Sequence, residues 1–399
     1  MKIPQIVTSL LDTDLYKFNM NQVIFHKHNN LMGTYVFKCR NANVKFTPAM
    51  VEEISAQIDA LCTLRFHRHE LDYLRSIRFL KPDFVEFLRL WRPMRDYVEL
   101  NLTPTGELDL RVNGPLFAAM QFEIYLLEIV NEVYFRFSYD YEKLLEGARA
   151  RLEEKIALFN DGTYTFRFAE FGCRRRLSLE WEREMIQTLM AKAKNRNLVG
   201  TSNVLLAYEL GLKPIGTYAH EFVQMYQGIP TLPLAYTNAA ALRDWYEEYK
   251  GDNGTALTDT LTTDLFLLDF DRSMCNNFTG VRHDSGDPFE WGRKILNHYK
   301  SYGIDPKTKT LLFSDSLDCE KAQAIYEYFS PLTNVAFGIG THFSNDTGVP
   351  ALNIVIKLQY VNGTPVAKLS DVEGKAMSQD PDYTDYLHRA VEFRLKTQK

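Results

Sequence analysis

The sequence predicts an α/β protein that contains a parallel, barrel-like domain over about residues 140–345. Short β-rich runs alternate with amphipathic helices in this part of the chain, and small polar loops follow several of the runs. A third observation is the turn Asn362-Gly363, which separates two apolar runs and indicates a β-hairpin. Because a hairpin does not continue a barrel of βα units, we expect this C-terminal segment to pack on or near the N-terminal domain.

Composition limits the class of function. The chain has 399 residues, enough for about two domains, and 45% of them are hydrophobic, which is typical of a globular protein. The net charge of −5 argues against a general nucleic-acid binder, so an anionic ligand would be held by local basic side chains and backbone N–H groups. Five cysteines without a C-x-x-C pair favour a reducing compartment over a disulfide framework or a zinc site. Since the start has no signal-peptide pattern, we expect a soluble cytoplasmic protein.

The first 135 residues show a mixed pattern. Strands are predicted at 33–39 and at 107–112, the latter before a turn at Asn113-Gly114-Pro115, and helices at 51–61, 69–77 and 83–91. The most apolar helix candidate covers 117–137. It is interrupted by Glu123, Glu128, Asn131 and Glu132, so a buried or interface helix is favoured over a membrane span.

From about residue 140 the pattern changes to strand, loop and helix. The predicted helices cover 141–159, 177–194, 202–210, 238–250, 288 to about 303, and 319–329. Ser202, Asp287 and Asp318 are predicted N-caps, and Gly211 stands at a C-cap. β-rich runs cover 164–168, 213–217, 310–313 and 334–337, and the hairpin strands cover 352–360 and 364–369. Repeated units of this kind place their loops at one rim of a sheet or barrel, where ligands bind.

Three loops between residues 282 and 341 carry phosphate- and ribose-type chemistry. In Arg282-His283-Asp284-Ser285-Gly286-Asp287-Pro288, two carboxylates suit a ribose diol or a hydrated Mg²⁺, although Asp287 could serve only as a helix cap. In Phe313-Ser314-Asp315-Ser316-Leu317-Asp318, Asp315 has less structural reason to be acidic than Asp318. Gly338-Ile339-Gly340-Thr341 offers N–H groups and a hydroxyl to a terminal phosphate. Together the loops favour a phosphorylated ligand more strongly than any one alone.

Three other segments can be interpreted either as parts of a functional site or as ordinary structural residues. Phe171-Gly172-Cys173-Arg174-Arg175-Arg176 follows a β-rich run, where adjacent arginines bind phosphate or form an ordinary basic turn. His220 can act as a base or as a nucleophile toward phosphorus, but a lone histidine is more often structural. Near the start, Asp12 or Asp14 can cap a helix, and Tyr16 can offer an aromatic face to a ligand.

Taken together, these segments resemble the nicotinate phosphoribosyltransferases of the shorter bacterial type. The match runs from Thr13-Asp14-Leu15-Tyr16-Lys17 to Lys368-Leu369-Ser370-Asp371 and so covers nearly the whole chain. It implies a type II phosphoribosyltransferase fold, with an irregular parallel α/β barrel and a second α/β domain of mixed sheet and helices from the N- and C-terminal segments. We place the boundaries at residues 1–138, 139–348 and 349–399. The resemblance also implies a head-to-tail homodimer in which Tyr16 reaches the site of the other protomer.

The same resemblance implies an activity. The family transfers phosphoribosyl from phosphoribosyl pyrophosphate to nicotinate, giving nicotinate mononucleotide and pyrophosphate for NAD biosynthesis, with ATP as co-substrate and Mg²⁺ as cofactor. His220 matches the histidine that ATP phosphorylates, and Arg174 and Asp284 complete the catalytic set. The substrate residues are Tyr16 and Phe171 on the two faces of the pyridine ring, Thr217 and Arg282 on nicotinate, Asp284 and Asp287 on the ribose and Mg²⁺ side, and Ser314, Asp315, Gly340 and Thr341 around the 5′-phosphate.

Two positions bear on substrate choice and affinity. Nicotinamide-specific relatives carry an aspartate at the position of Ser202, and a carboxylate there would repel nicotinate by about 1 kcal/mol at ~4 Å in water and by more when partly buried. Ser202 therefore favours the acid over the amide. His342 stands where some members carry arginine, and an imidazole that is mostly uncharged near neutral pH would bind phosphate more weakly.

Rival functions are a nicotinamide or quinolinate phosphoribosyltransferase and a non-catalytic sensor on the same fold. Ser202 opposes the nicotinamide enzyme, and the segment around His220 opposes the quinolinate enzyme. A sensor has no need of a phosphorylatable histidine beside Tyr16, Arg282 and Asp284.

Overall fold

Two β-sheets of different kinds organise the protein. The computed structural model describes residues 3–371, 378 and 380–398. One sheet is antiparallel with five strands, the other is parallel with six, and α-helices connect the strands. This arrangement confirms the predicted α/β class, with a parallel domain beside a second domain to which both ends of the chain contribute. Among the described helices, none is both long enough and apolar enough to cross a membrane.

The element bounds are as follows. The strands are β1 (Met32–Cys39), β2 (Val98–Leu102), β3 (Leu108–Pro115), β4 (Phe168–Glu170), β5 (Leu198–Thr201), β6 (Lys250–Asn253), β7 (Thr255–Leu257), β8 (Gly280–His283), β9 (Thr310–Phe313), β10 (Asn334–Ile339), β11 (Ile354–Val361) and β12 (Thr364–Pro365). The α-helices are α1 (Leu15–Lys27), α2 (Pro48–Leu61), α3 (Arg68–Ser76), α4 (Pro82–Leu90), α5 (Leu116–Ala119), α6 (Phe122–Ser138), α7 (Tyr141–Asn160), α8 (Leu179–Lys192), α9 (Val204–Leu210), α10 (His220–Gln224), α11 (Thr237–Tyr249), α12 (Thr263–Asp269), α13 (Arg272–Asn277), α14 (Pro288–Ser301), α15 (Cys319–Phe329), α16 (Thr341–Ser344) and α17 (Pro381–Thr397).

The antiparallel sheet joins the two ends of the chain. Its strand order is β12, β11, β1, β3, β2, so β1 pairs with β3 on one side and with β11 on the other. Asn362 and Gly363 have φ values of 51° and 77° and turn the chain between β11 and β12. The predicted hairpin therefore exists and packs on the N-terminal sheet, although its second strand ends at Pro365.

The parallel sheet places its loops on one edge. Its strand order is β5, β4, β10, β9, β8, β7, and His283, Phe313 and Phe337 stand side by side in the register. The carboxyl ends of β8, β9 and β10 therefore meet at the same edge, which is where ligands bind in such sheets. β8 was not predicted, since its four residues contain Arg282 and His283 and lack an apolar run.

The predicted strand at 213–217 is wrong, and its absence explains why the barrel is irregular. In this segment only Pro214 forms a bridge, with Thr201 of β5, because proline has no N–H for a ladder and Gly216 has a φ of 156°. The segment from residue 213 to 218 still connects β5 and β7, the two edge strands of the parallel sheet. The amide N–H of Ile215 donates to the Thr201 carbonyl at 2.9 Å, and that of Leu257 in β7 donates to the Tyr218 hydroxyl at 3.1 Å.

Capping side chains determine where the helices begin, and one predicted cap, that of α9, is wrong. Asp318 accepts the amide N–H of Lys321 at 2.8 Å, so α15 begins as predicted. Helix α9 is capped by Asn203 rather than by Ser202, because Asn203 Oδ1 accepts the Leu206 amide N–H at 3.2 Å. The predicted C-cap of α9, Gly211, has a φ of 64°.

Two further predictions fail where tertiary pairing overrides local signals. The turn at Asn113-Gly114-Pro115 does not form, because β3 continues through it and Gly114 stands opposite Gly33 of β1. The helix predicted over 117–137 is divided into α5 and α6, interrupted around Gln121. Its interpretation as a buried helix is confirmed, since the Asn131 amide donates to the Arg176 carbonyl at 2.6 Å in the interior.

Candidate active site

A cavity of about 1310 Å³ lies where the loops of the parallel sheet face the antiparallel sheet. Its walls come from the loops after β4, β8, β9 and β10 and from residues of β1 and β11. Of the predicted site residues, all but Asp287 line this one cavity: Tyr16, Phe171, Arg174, Ser202, Thr217, His220, Arg282, Asp284, Ser314, Asp315, Gly340 and Thr341. The irregular barrel thus brings together residues that are up to about 325 positions apart in the chain.

Asp287 is placed elsewhere. Its carboxylate accepts the amide N–H of Glu290 at 2.7 Å and caps α14, and the residue is exposed outside the cavity wall. This placement supports the alternative that Asp287 serves only as a helix cap, and its predicted contact with ribose and Mg²⁺ finds no geometric support. A carboxylate that follows a strand and precedes proline fits both roles in the sequence, so only the fold separates them.

Phe171 forms an aromatic wall because glycine stands beside it. A Cβ atom added to Gly338 would lie 2.2 Å from the Phe171 ring, so only glycine allows this ring to lie over β10. The Phe171 amide N–H donates to the Ile339 carbonyl at 2.9 Å and fixes the chain after β4. Tyr16, at the start of α1, lines the same cavity of its own chain, whereas the resemblance implies that it reaches the site of the other protomer.

His220 is held in a cluster of charged side chains at the cavity wall, which we call the His220 cluster (His220, Asp259, Asp284 and Lys368). Its Nε2 lies 2.9 Å from Asp259 Oδ1 and 3.6 Å from Asp284 Oδ2. The other Asp259 oxygen accepts from Lys368 Nζ at 2.7 Å and from Ser285 Oγ at 2.5 Å. Asp259 therefore joins the imidazole to a lysine from the C-terminal segment.

The charges of this cluster favour a neutral imidazole beside an ionised carboxylate. Burial lowers the pKa of His220, and Lys368 acts in the same direction against the attraction of Asp259. Although burial alone would raise it, the pKa of Asp259 is held well below its usual range by His220 and Lys368. An ionised Asp259 accepts a hydrogen bond, so the ring proton of His220 lies on Nε2 and the lone pair on Nδ1.

Asp284 and Arg282 lie at the opening of the His220 cluster. Asp284 Oδ1 accepts from Ser314 Oγ at 2.9 Å and lies 3.9 Å from Arg282 Nη2. Burial acts to raise the pKa of Asp284, but Arg282 and His220 outweigh it and lower that pKa. Arg282 Nη1 donates to the Tyr218 carbonyl at 3.1 Å, and its buried Nε has no partner among the described residues. The Tyr218 carbonyl therefore orients the guanidinium at the cavity wall.

A second set of buried charges underlies the Tyr16 side of the cavity. Lys17 is fully buried and forms ion pairs with Glu123 at 2.5 Å and with Glu221. Arg174 Nη1 lies 3.6 Å from Glu123, and the Tyr35 hydroxyl donates to Glu221 at 2.6 Å. Because Glu221 follows His220 in α10, these pairs fix the helix that carries the histidine.

Two buried polar atoms near the start of α1 lack partners. Ser202 Oγ and Asp14 Oδ1 form no hydrogen bond within the described part of the chain, and both residues line the cavity. Asp14 precedes α1 but its side chain does not cap the helix. Burial raises the pKa of Asp14, while the Ser202 hydroxyl and Arg174 act to lower it. The Ser202 hydroxyl therefore lies close to the Asp14 carboxyl at the cavity wall.

Among the described residues, His220, Asp259 and Asp284 form one of two groups whose ligand atoms lie within 4.8 Å of one another. Both Asp259 oxygens are already engaged by protein donors. Asp284 lines the cavity and fits Mg²⁺ as a single carboxylate ligand, since Mg²⁺ is commonly held by one or two carboxylates, substrate phosphates and water. Asp287, the other predicted ligand, lies outside the cavity.

The other group, Asp12, Glu128 and Cys173, belongs to a sealed cluster. Arg176 pairs with both oxygens of Asp12 at 2.6 Å, and lies 3.2 Å from Glu128 and 3.0 Å from Glu182. We call these four residues the Arg176 cluster. The Arg176 side chain is 1% exposed, and no member of the cluster lines the cavity. The guanidinium is already engaged by these carboxyls and the cluster is closed to the cavity, so this group is structural.

Sequence reasoning missed Asp259, Lys368 and Glu123 as members of the site. Asp259 follows β7, a strand of three residues that gives no clear periodic signal. Lys368 stands in the segment Lys368-Leu369-Ser370-Asp371 that closed the family resemblance, which was a usable signal. Glu123 was treated only as an interruption of an apolar helix, yet a carboxylate on a buried helix indicates a buried cation.

Family models and curated relatives with the same name match nearly the whole chain. A sequence model described as the Nicotinate phosphoribosyltransferase (NAPRTase) family matches residues 166–395, and one for its N-terminal domain matches residues 11–131. The chain is 46% identical over 394 residues to nicotinate phosphoribosyltransferase of Neisseria meningitidis serogroup A, which covers 97% of this chain and 98% of the relative. The chain is 45% identical over 384 residues to nicotinate phosphoribosyltransferase of Xanthomonas campestris, and the match covers 96% of this chain and 95% of the relative.

Solved structures show the same likeness. The crystal structure of nicotinate phosphoribosyltransferase from Vibrio cholerae matches with a TM-score of 0.90 at 35% identity, over 98% of this chain and 94% of that chain. The crystal structure of nicotinate phosphoribosyltransferase from Porphyromonas gingivalis matches with a TM-score of 0.89 at 35% identity, over 97% of this chain and 100% of that chain. Both the order of the elements and the sequence are thus similar to those proteins.

Proposed function

The chain belongs to the nicotinate phosphoribosyltransferase family, and we propose that it joins nicotinate to phosphoribosyl pyrophosphate with the help of ATP and a phosphorylated His220. The enzyme converts nicotinate to nicotinate mononucleotide, a step of NAD biosynthesis, and pyrophosphate is the leaving group. The observation that supports the proposal is that one cavity is lined by His220, Arg282, Asp284 and Thr341, with Asp259 hydrogen-bonded to His220.

The chemistry of His220 follows from its proton. Because Asp259 holds Nε2–H at 2.9 Å, Nδ1 carries the lone pair and is the nucleophile toward the γ-phosphorus of ATP. As the N–P bond forms, the bond from phosphorus to the bridging oxygen of ADP breaks, and ADP leaves with those electrons. The ionised Asp259 stabilises the positive charge that develops on the ring. Water later attacks the phosphohistidine and releases phosphate, and each turnover then starts again from neutral His220.

Phosphorylation of His220 changes the charge of the cavity. A phosphoryl group adds nearly two negative charges beside Asp284 and Lys368. We infer that the new charge rearranges the binding of the diphosphate substrate, so that hydrolysis of phosphohistidine is coupled to transfer. A tenfold gain in affinity requires about 1.4 kcal/mol, which a phosphoryl bond easily supplies.

Nicotinate is held by aromatic and polar side chains of the same cavity. Tyr16 and Phe171 supply aromatic faces for the pyridine ring, while Arg282 and Thr217 contact its carboxylate. Ser202 lines the cavity, and its hydroxyl can donate to that carboxylate. These contacts favour nicotinate over nicotinamide.

The transfer step needs no base. The pyridine nitrogen has a free lone pair and attacks C1 of the ribose as the C1–O bond to pyrophosphate breaks, through a state that resembles an oxocarbenium ion. Arg174 and Arg175 line the cavity together with Lys357, whose pKa burial lowers to about 8, and these cations stabilise the leaving pyrophosphate. Mg²⁺, held by Asp284, would supply further charge neutralisation there. Ser314, Asp315, Gly340 and Thr341 surround the 5′-phosphate end.

A parallel assay tests the proposal. Pyrophosphate release is measured with nicotinate, nicotinamide or quinolinate, each with and without ATP and Mg²⁺. We expect release with nicotinate only, faster with ATP, and ³²P from γ-labelled ATP on His220. Equal release with nicotinamide would contradict the assigned substrate, and an ATP-independent rate without labelling would contradict the histidine chemistry. We also expect the head-to-tail homodimer, which light scattering would report as twice the chain mass.

A further inference from the structure

His342 is a cavity residue with a fixed position. It follows Thr341 in α16 and lines the same cavity. Its carbonyl accepts a hydrogen bond from Lys155 Nζ, and its Nε2 accepts the amide N–H of Cys319 at 3.4 Å. Cys319 opens α15, so its N–H has no partner inside that helix and is free to hold the imidazole.

The contact with Cys319 determines which ring nitrogen carries the proton. A backbone N–H can only donate, so Nε2 must present its lone pair and the ring proton lies on Nδ1. Among the described residues, none forms a hydrogen bond with Nδ1 of His342. Nδ1 is also absent from the set of buried polar atoms without a partner, which indicates that it is not buried. The Nδ1–H group is therefore an accessible donor at the cavity wall.

The ring stays neutral in this environment. Burial lowers the pKa of His342 to about 4. The charged groups that act on it are Lys155 on α7, Asp346 after α16, and Asp318 and Lys321 at the start of α15, two cations and two anions that largely cancel. An imidazolium would also lose the Cys319 contact, since a protonated Nε2 cannot accept.

We propose that His342 binds the 5′-phosphate of the phosphoribosyl substrate as a neutral Nδ1–H donor whose tautomer is fixed by the Cys319 amide. This inference rests on the proposed function, since it assigns a role in that same site. It also modifies the expectation from sequence that a neutral imidazole weakens the phosphate site. The ring here adds a directed hydrogen bond next to Thr341, and its contribution does not change as pH varies between 6 and about 8.

Steady-state kinetics of two variants test the donor. His342→Leu removes the N–H, and His342→Asn restores an N–H near the position of Nδ1. We expect His342→Leu to raise KM for phosphoribosyl pyrophosphate about tenfold, equivalent to about 1.4 kcal/mol, with little change in KM for nicotinate. His342→Asn should recover most of the loss. Equal changes in both KM values, or an asparagine variant as weak as leucine, would overturn the proposal. His388→Leu, on the exposed face of α17, is the matched surface control.

Nuclear magnetic resonance tests the tautomer without any substrate. In protein labelled with ¹⁵N-histidine, and with His342→Leu used for assignment, the His342 ring should show the Nδ1–H form unchanged from pH 8 to 6. An Nε2–H form, or titration within this range, would refute the inference even if the variants bind poorly. If wild-type protein releases no pyrophosphate from nicotinate while the Nδ1–H form is observed, the proposed function fails and the tautomer assignment stands.

Discussion

The Arg176 cluster and the His220 cluster are built from the same kinds of side chain but differ in what surrounds them. Both contain buried carboxylates around cationic groups, and both join segments far apart in the chain. The Arg176 cluster is closed on all sides, whereas the His220 cluster forms part of a cavity wall. Access to the cavity, rather than the presence of buried charge, therefore separates the reactive cluster from the structural one.

Their charge states differ accordingly. In the Arg176 cluster, burial raises the pKa of Glu182 and raises that of Glu128 far above its usual range, because one guanidinium only partly opposes the burial of these two carboxyls. In the His220 cluster, Asp259 is kept ionised by two neighbours and leaves a nucleophilic nitrogen on the ring. A sealed cluster can reduce its charge by binding protons. An open one keeps a charge and a lone pair ready for a ligand.

The largest effect is expected from Arg176→Met. Removal of the guanidinium leaves Asp12, Glu128 and Glu182 buried without a cation, and we expect a loss of roughly 3–5 kcal/mol in the free energy of unfolding. Urea denaturation followed by circular dichroism measures it. The control is Arg183→Met, which breaks the partly exposed pair with Glu209 and should cost less than about 1 kcal/mol. Similar losses for both variants would remove the distinction between sealed and accessible ion pairs.

His220→Asn should abolish the ATP-dependent activity while leaving the stability of the fold nearly unchanged. We expect the ATP-dependent part of the rate and the ³²P label on the protein to disappear, while a slow ATP-independent transfer remains and the unfolding free energy changes by less than about 1 kcal/mol. His69→Asn, at an exposed position, serves as the control. Coupled ATP hydrolysis that survives in His220→Asn would show that another residue carries the phosphoryl group.

Asp259→Asn should reduce labelling without abolishing it. The ring loses the anion that fixes Nε2–H, and we expect phosphohistidine formation to slow by about 100-fold with KM for nicotinate unchanged. Asp264→Asn, whose carboxylate is exposed beside Lys294, is the matched control. The pH dependence adds a second readout for wild type. Since burial lowers the pKa of His220 below its ordinary value of 6.5, the labelling rate should stay constant from pH 8 to 6.5 and fall only at lower pH. A midpoint above 6.5 would exclude a neutral buried imidazole.

Arg282→Ala is expected to give the smallest effect, limited to one substrate. We expect KM for nicotinate to rise roughly 10- to 100-fold, because a hydrogen bond between charged groups is lost, while phosphoribosyl pyrophosphate is affected much less. Arg293→Ala, exposed on α14, is the control. If both substrates weaken equally, Arg282 holds the loop that contains Asp284 instead of the nicotinate carboxylate.

Local signals predicted part of this structure well. Helix α15 has the predicted ends because Asp318 caps it, and Asn362-Gly363 forms the predicted turn. Lys213–Thr217 was predicted as a strand from its composition, yet pairing partners decide whether a strand forms. Helix α17 was not identified, because its apolar residues are spaced among many polar ones.

The candidate site was predictable where residues follow strands. Ser314 and Thr341 follow predicted strands, β9 and β10, so the parallel sheet brings them together, whereas Arg282 lies within β8, which was not predicted. Asp259 and the pairing of Asp12 with Arg176, 164 positions apart, depend on tertiary contacts that no local pattern records. The residue roles and the domain boundaries remain predictions.

The position of β1 in its sheet has a consequence for how the protein is made. β1 emerges early from the ribosome, but its neighbour β11 is synthesised more than 300 residues later. Until then the nascent chain exposes an unpaired strand edge that other polypeptides can join. A message truncated before β11 would therefore yield an aggregation-prone fragment rather than a weakened enzyme, and chaperone demand should end only when translation is nearly complete.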